Sequence, residues 1–307
     1  MTADTKTNGY ICIMFYRRKV ILSLLQLFEG KLEKIRLQKL LFLLTQQQTK
    51  PEYDFIPYKY GCYSYSANAD LTAMANKGLL IETDTAFEKS DSVDYIKTLK
   101  AEDRKLVHQV KKLYGAMNAN TLMKHTYVNF PYYAINSVKA NEILNREQLS
   151  KIIETKPFDE STVLFTIGYE SISLEEYLNR LIKNNVKVLV DVRRNPLSMK
   201  YGFSKNQLKK YCGSLGIEYI HFPEVGIRSE ERQELNTQSD YDHLFAHYRT
   251  NELLDTKDTQ QKILELLVNH KRIALTCFEK DICQCHRKHL AEAITAMPDF
   301  KYHLRHI

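Results

Sequence analysis

Four short runs rich in β-branched and apolar residues dominate the second half of the chain: Val163-Leu164-Phe165-Thr166-Ile167, Val186-Lys187-Val188-Leu189-Val190, Glu218-Tyr219-Ile220-His221 and Arg272-Ile273-Ala274-Leu275-Thr276. Amphipathic stretches separate them, Leu174 to Lys183, Lys205 to Leu215, Tyr241 to Asn251 and Gln260 to Asn269. Such alternation predicts a Rossmann-like α/β domain, a layered and mainly parallel sheet, because strands buried on both faces need helices over each face. The first half reads differently. Helical spacing over Lys19 to Glu29 and Ile35 to Gln47 is followed by an aromatic extended piece, Tyr53 to Tyr60, a helix through Ser66 to Asn76 and a short strand at Leu79 to Glu82. That order suits a mostly helical, winged-helix-like module. Further helices are predicted near Glu102 to Tyr114 and Asn120 to Asn129, and 307 residues suit two cores. We place the boundary near Pro157, giving domains at 1–157 and 158–307 with a polar helical linker from Asn141.

The net charge of +7 is unevenly spread. Residues 1–157 hold 23 Lys and Arg against 16 Asp and Glu, while residues 158–307 hold 21 of each. Phosphate neutralisation dominates non-specific nucleic-acid affinity, so the first half is where nucleic acid is expected, with an ordinary solvated surface as the alternative. Val20 to Phe28, the longest apolar run, falls short of the ~18–20 residues of a membrane helix, so no membrane is expected. The polar start, with no cleavage-type tail after Tyr10 to Tyr16, leads to a cytoplasmic expectation. Six cysteines, Cys12, Cys62, Cys212, Cys277, Cys283 and Cys285, do not make a dense disulfide framework.

Open parallel sheets bind ligands outside the carboxyl ends of their strands. There the sequence places Gly168, then Asp191-Val192-Arg193-Arg194, then Cys277-Phe278-Glu279, with Cys285-His286-Arg287 opening the following helix. Gly168 admits either a ligand or a tight turn. Asp191 with Arg193 or Arg194 is either part of a site or a structural ion pair. A helix N-terminus attracts anions and lowers thiol pKa values, and Arg287 adds a bidentate clamp; against this, a buried Cys277 can be a small hydrophobe. Cys277, Cys283, Cys285, His286 and His289 hold donors for zinc but no paired C-x-x-C, so no metal is expected. His221, His243 and His247 are open between acid-base groups and satisfied polar residues. No Walker loop, G-x-G-x-x-G, G-x-S-x-G or H-E-x-x-H pattern occurs.

Thr166-Ile167-Gly168-Tyr169, Asp191-Val192-Arg193 with Pro196 and Ser198, Gly216-Ile217-Glu218-Tyr219, and Cys277-Phe278-Glu279 with Cys285-His286-Arg287 together resemble the domain of unknown function 488 over roughly Val163 to Ile294. Val225-Gly226-Ile227 stands where that family commonly has Leu-Gly-Gly. The resemblance implies an α/β fold and a site of Asp191, Arg193, Cys277, Glu279, Cys285, His286 and Arg287. In the first half, Leu37-Gln38-Lys39-Leu40-Leu41-Phe42, Pro57 to Ser64, Asp70-Leu71 and Gly78-Leu79-Leu80 are similar to winged-helix-like modules of the Panacea antitoxin group, which implies a toxin-antitoxin or defence setting.

These readings converge on an enzyme acting on a nucleotide or nucleic acid. Arg193 and Arg287, with Gly168, hold the anion, Asp191 or Glu279 serves as acid or base, Cys277 or Cys285 is the nucleophile, and His286 is a further catalytic candidate. The rivals are a non-catalytic DNA-binding regulator and an antitoxin-like interaction protein.

Overall fold

The computed structural model of the chain describes residues 14–228, 231 and 235–307. The polar start with Cys12, and part of the Pro223 to Ser239 loop, lie outside the described residues. The chain divides into two compact units, Met1–Ile152 and Ile153–Ile307.

The first unit runs α1 (Tyr16–Leu27), β1 (Lys31–Glu33), α2 (Lys34–Thr45), β2 (Ile56–Tyr58), β3 (Gly61–Tyr63), α3 (Tyr65–Asn76), β4 (Leu80–Glu82), β5 (Ala86–Lys89), α4 (Ala101–Tyr114), α5 (Ala119–Asn129) and α6 (Ala140–Ile143), and ends within α7 (Arg146–Thr155). Val20 to Leu25 of α1 and Leu37 to Thr45 of α2 are buried throughout, so these helices form the centre of the unit. Each fully buried Leu, Ile or Val stabilises by about 1.5–3 kcal/mol. Ser64 caps α3, its side chain accepting from Ala67 N at 3.1 Å, and Asn118 caps α5 through Thr121 N at 2.9 Å. β1, β5 and β4 pair antiparallel in that order, and β2 and β3 form a separate hairpin. Strands β1 and β5 escape sequence reading because Lys31, Glu33, Glu88 and Lys89 interrupt any apolar run.

The second unit is the expected α/β layer. It runs β6 (Val163–Gly168), α8 (Leu174–Lys183), β7 (Val188–Asp191), α9 (Lys205–Ser214), β8 (Glu218–His221), α10 (Gln238–Thr250), α11 (Glu252–Asp255), α12 (Lys257–His270), β9 (Arg272–Cys277), α13 (His286–Thr295) and β10 (His303–His306). All five strands are parallel, in the order β10-β6-β9-β7-β8. Every residue of β6, β7 and β9 is buried, as the near-continuous apolar runs require. Strand β10 is the addition: its His-Leu-Arg-His sequence is largely exposed, as an edge strand tolerates and an apolar pattern does not reveal.

Side-chain alternation divides the chemistry between the two faces of the sheet. Val188, Val190 and Val192, with Ile273, Leu275 and Cys277, pack into one core with Phe245 of α10, Leu264 of α12 and Leu290 of α13. On the opposite face, Tyr177 of α8 donates to Thr276 Oγ1 at 2.8 Å. Among the described residues no helix is long and apolar enough to cross a membrane.

Candidate functional site

Three strand ends finish level with one another: Gly168 is in register with Cys277, and Asp191 with Thr276. The residues singled out from sequence therefore meet at one edge of the sheet, in two clusters.

The first cluster centres on Asp191, which is fully buried. It accepts from Arg193 Nε at 2.8 Å, Arg193 Nη2 at 2.5 Å, Tyr219 Oη at 2.5 Å and the Arg193 backbone N at 3.1 Å. Arg193 Nη1 donates to Tyr169 Oη at 2.7 Å and to the Phe203 carbonyl at 2.9 Å. Against burial, the carboxylate holds the guanidinium firmly protonated, while burial and then Asp191 push the Tyr219 hydroxyl up. Each end of the Arg193 fork thus has a protein acceptor, and the pair braces the exit of β7. His221 supports the same turn, with Nε2 2.8 Å from the Arg193 carbonyl.

The second cluster lies across the end of β9. Cys277 Sγ is 3.1 Å from Glu279 Oε2 and 3.6 Å from His286 Nδ1. His286 Nε2 stands 3.0 Å from the Val192 carbonyl, and because a carbonyl only accepts, Nε2 carries a proton, which in the neutral ring leaves the lone pair on Nδ1, facing the thiol. Cys285, at the N-terminal end of α13, is fully buried, and desolvation with the neighbouring Cys277 pushes its thiol well above the ordinary range. The opposing influence of Arg287 is smaller. Arg287 donates through Nη1 to the Glu279 carbonyl at 2.5 Å and through Nη2 to the Lys280 carbonyl at 3.3 Å, and its buried Nε has no partner. It ties the loop after β9 to α13. Gly168 is needed for that loop: a Cβ there would stand 1.9 Å from the Glu279 carbonyl oxygen. Gly226 has a like role beside β7, where a Cβ would meet Arg194 N at 2.2 Å.

A cavity of about 350 Å³ opens at this edge, lined by Cys277, Tyr169, Arg193, Arg194 and Ser198 among others, with Leu197, Met199 and Phe278 exposed around it. Among the described lining residues none is acidic and two are arginines. Sequence reasoning missed Leu197 and Met199, and gave no site role to Tyr169, Asn195, Ser198, Ile227 and Phe278, although it named Tyr169, Ser198, Ile227 and Phe278 within motifs. Tyr169 and Phe278 each follow a strand end directly and were within reach; Leu197 and Ile227 lie in irregular segments with no such signal. The cavity lining does not include His243, His247, His289 or Cys283.

Of the five donors weighed for zinc, Cys277, Cys285 and His286 bring one ligand atom each within 4.8 Å of one another. Sulfur, sulfur and nitrogen suit zinc, and the bond from His286 to the Val192 carbonyl is of the kind that orients a ligating imidazole. A more exposed group, Glu231, His247 and Glu252, satisfies the same distance.

No curated protein sequence matches the chain. Residues 173–294 match the family model described as Domain of unknown function DUF488, a span that contains every site residue above except Gly168 and Tyr169. The family match thus falls within the C-terminal unit, Ile153–Ile307.

Proposed function

We propose that the C-terminal unit is an enzyme that uses Cys277 as a nucleophile on a phosphate-bearing substrate, a nucleotide or nucleic acid. The observation that carries this reading is the Cys277 thiol, at the cavity wall, 3.6 Å from a His286 Nδ1 whose tautomer the Val192 carbonyl fixes. A weak nucleophile beside a base that is itself oriented by a third group is the general arrangement for covalent catalysis. His286 Nδ1 takes the thiol proton as sulfur bonds to the electrophilic centre, and returns it to the departing group. Glu279, 3.1 Å from the thiol, is the second acceptor. The acid-free, arginine-bearing lining favours an anionic substrate, and Arg194, exposed at the cavity, takes the anion-binding role ahead of the internally paired Arg193.

Alkylation by iodoacetamide, followed residue by residue by mass spectrometry, tests this. Cys277 is expected to react at least ~10-fold more slowly in His286→Ala, and to be protected by millimolar nucleoside monophosphates. Equal rates in both proteins, or no protection, would overturn the reading. Metal analysis covers the rival use of the same atoms, since stoichiometric zinc would make Cys277 a ligand.

A second reading concerns the basic half. The sequence of β1, β4 and β5 around α1, α2 and α3, with β5 between β1 and β4, supports a winged-helix-type module. Yet α3, the helix that would enter a groove, holds no Lys or Arg between Tyr65 and Asn76. Helix α4 instead exposes Arg104, Lys105, His108 and Lys112. Nucleic acid would therefore meet α4 through its phosphates. Replacing Arg104, Lys105 and Lys112 together with Glu is expected to lower the salt slope of duplex binding by about 3, one for each contact. An unchanged slope would remove α4 as the contact.

A further inference from the structure

The N-terminal unit holds a cavity of about 330 Å³ that the proposed chemistry does not use. Its walls include Tyr58, Tyr60 and Tyr63 of the β2–β3 hairpin region, Leu71 of α3 and Phe87 of β5, and Lys39 of α2 belongs to the same lining. Lys39 is 2% exposed, and its Nζ donates to the Cys62 carbonyl at 2.8 Å. Among the described residues no carboxylate lines the cavity. Desolvation holds the amine below its ordinary value of 10.5, and Cys62 is the group that opposes the shift.

A buried charge ordinarily has its counter-charge beside it. Asp70, as deeply buried in the same unit, does: Arg17 and Arg18 reach it at 2.5 and 2.7 Å. Lys39 has a carbonyl and a thiol instead, next to space walled by aromatic rings. The lining also holds Gln38, Asn68 and Lys34, whose ammonium is paired with Glu82, and cavities of a few hundred Å³ with mainly apolar walls and a small number of placed polar groups are the usual form of a small-molecule site. We propose that this cavity binds a small ring-bearing carboxylate, its carboxylate on Lys39 Nζ and its ring among Tyr58, Tyr63 and Phe87.

The bound anion supplies the missing counter-charge and restores the proton to the amine, so at pH above the depressed lysine pKa the complex takes up a proton. In the unliganded chain the unfolded state keeps the proton that the folded state sheds. Stability therefore rises with pH from the depressed value up to 10.5, and Lys39→Met removes that rise.

The test is calorimetric titration of the full chain with benzoate, phenylacetate and 2-naphthoate, each beside its neutral amide. At least one carboxylate is expected to bind, with its amide weaker by about 10-fold or more and with a heat that varies with the ionisation enthalpy of the buffer. Lys39→Met is expected to lose the binding while keeping its Tm, since an apolar chain of similar length replaces an uncompensated buried charge. No binding by any carboxylate at low millimolar concentration, equal binding of acid and amide, or full binding by a folded Lys39→Met would overturn the proposal. If that variant does not fold, the comparison of acid with amide on the native chain decides. A fall in Tm without any ligand effect would show that Lys39 only braces the Cys62 carbonyl.

Discussion

Replacing Asp191 with alanine is expected to destabilise the C-terminal unit by about 3–5 kcal/mol, the usual cost of breaking a buried ion pair from one side. Asp191 is fully buried and Arg193 is 5% exposed, so the substitution leaves a guanidinium with little water to replace the two side-chain bonds it made to the carboxylate. A lysine or histidine there could shed its charge; an arginine cannot. Tyr219 loses its acceptor at the same time. Native-state hydrogen exchange of the β7 amides, whose bonds to β8 and β9 open with the sheet, reads the loss directly. Replacing both partners, Asp191→Leu with Arg193→Met, is expected to recover most of it, because two apolar chains need no compensation. A loss below about 1 kcal/mol for the single variant would mean that water reaches Arg193 and that the pair does not brace the cavity.

The largest expected effect on activity belongs to Cys277→Ser: a fall of about 10⁴-fold or more with the fold retained, as losing a nucleophile generally produces. The change is one atom, and the Cys277 backbone stays in register with Gly168. His286→Ala should fall to a similar level without adding to the first loss, since the two act as a unit. Cys285→Ser separates this from a structural effect. Its thiol is held protonated by burial and by Cys277, and Cys285 is absent from the cavity lining, so turnover should survive. The substrate for the assay is the phosphate compound that co-purifies with Cys277→Ser in native mass spectrometry. Equal inactivation by both serine variants, accompanied by loss of bound zinc, would transfer the site to metal chemistry.

The architecture of the second unit was legible because its central strands are buried on both faces. Val163 to Ile167 and Arg272 to Thr276 have no other plausible place in a globular chain. The convergence of Gly168, Asp191 and Cys277 was legible for the same reason, because parallel strands of known direction bring their carboxyl ends to one edge. What each residue does there was not. Whether Arg193 faced a ligand or a carboxylate depends on the turn that brings its side chain back onto Asp191, two residues earlier, and no spacing rule encodes that turn. The partnership of His286 with the Val192 carbonyl joins residues far apart in sequence and involves a backbone atom, so it leaves no pattern in side-chain type. Lys39 was hidden differently: among the three basic residues of α2, Lys34, Arg36 and Lys39, it reads as one more solvent-facing position until the hairpin of β2 and β3 closes over it.

The order of the sheet has a consequence for biosynthesis. Strands β6 and β7 are translated early in the domain, yet they do not pair with each other; each pairs with β9, which emerges only after four further helices have been made. A growing chain therefore carries two apolar strands without their shared neighbour, held open to chaperones or to wrong partners until Cys277 itself leaves the ribosome. The last strand to enter the middle of the sheet is also the one that delivers the thiol, so Cys277 and His286 come together only once β9 and α13 have both been made.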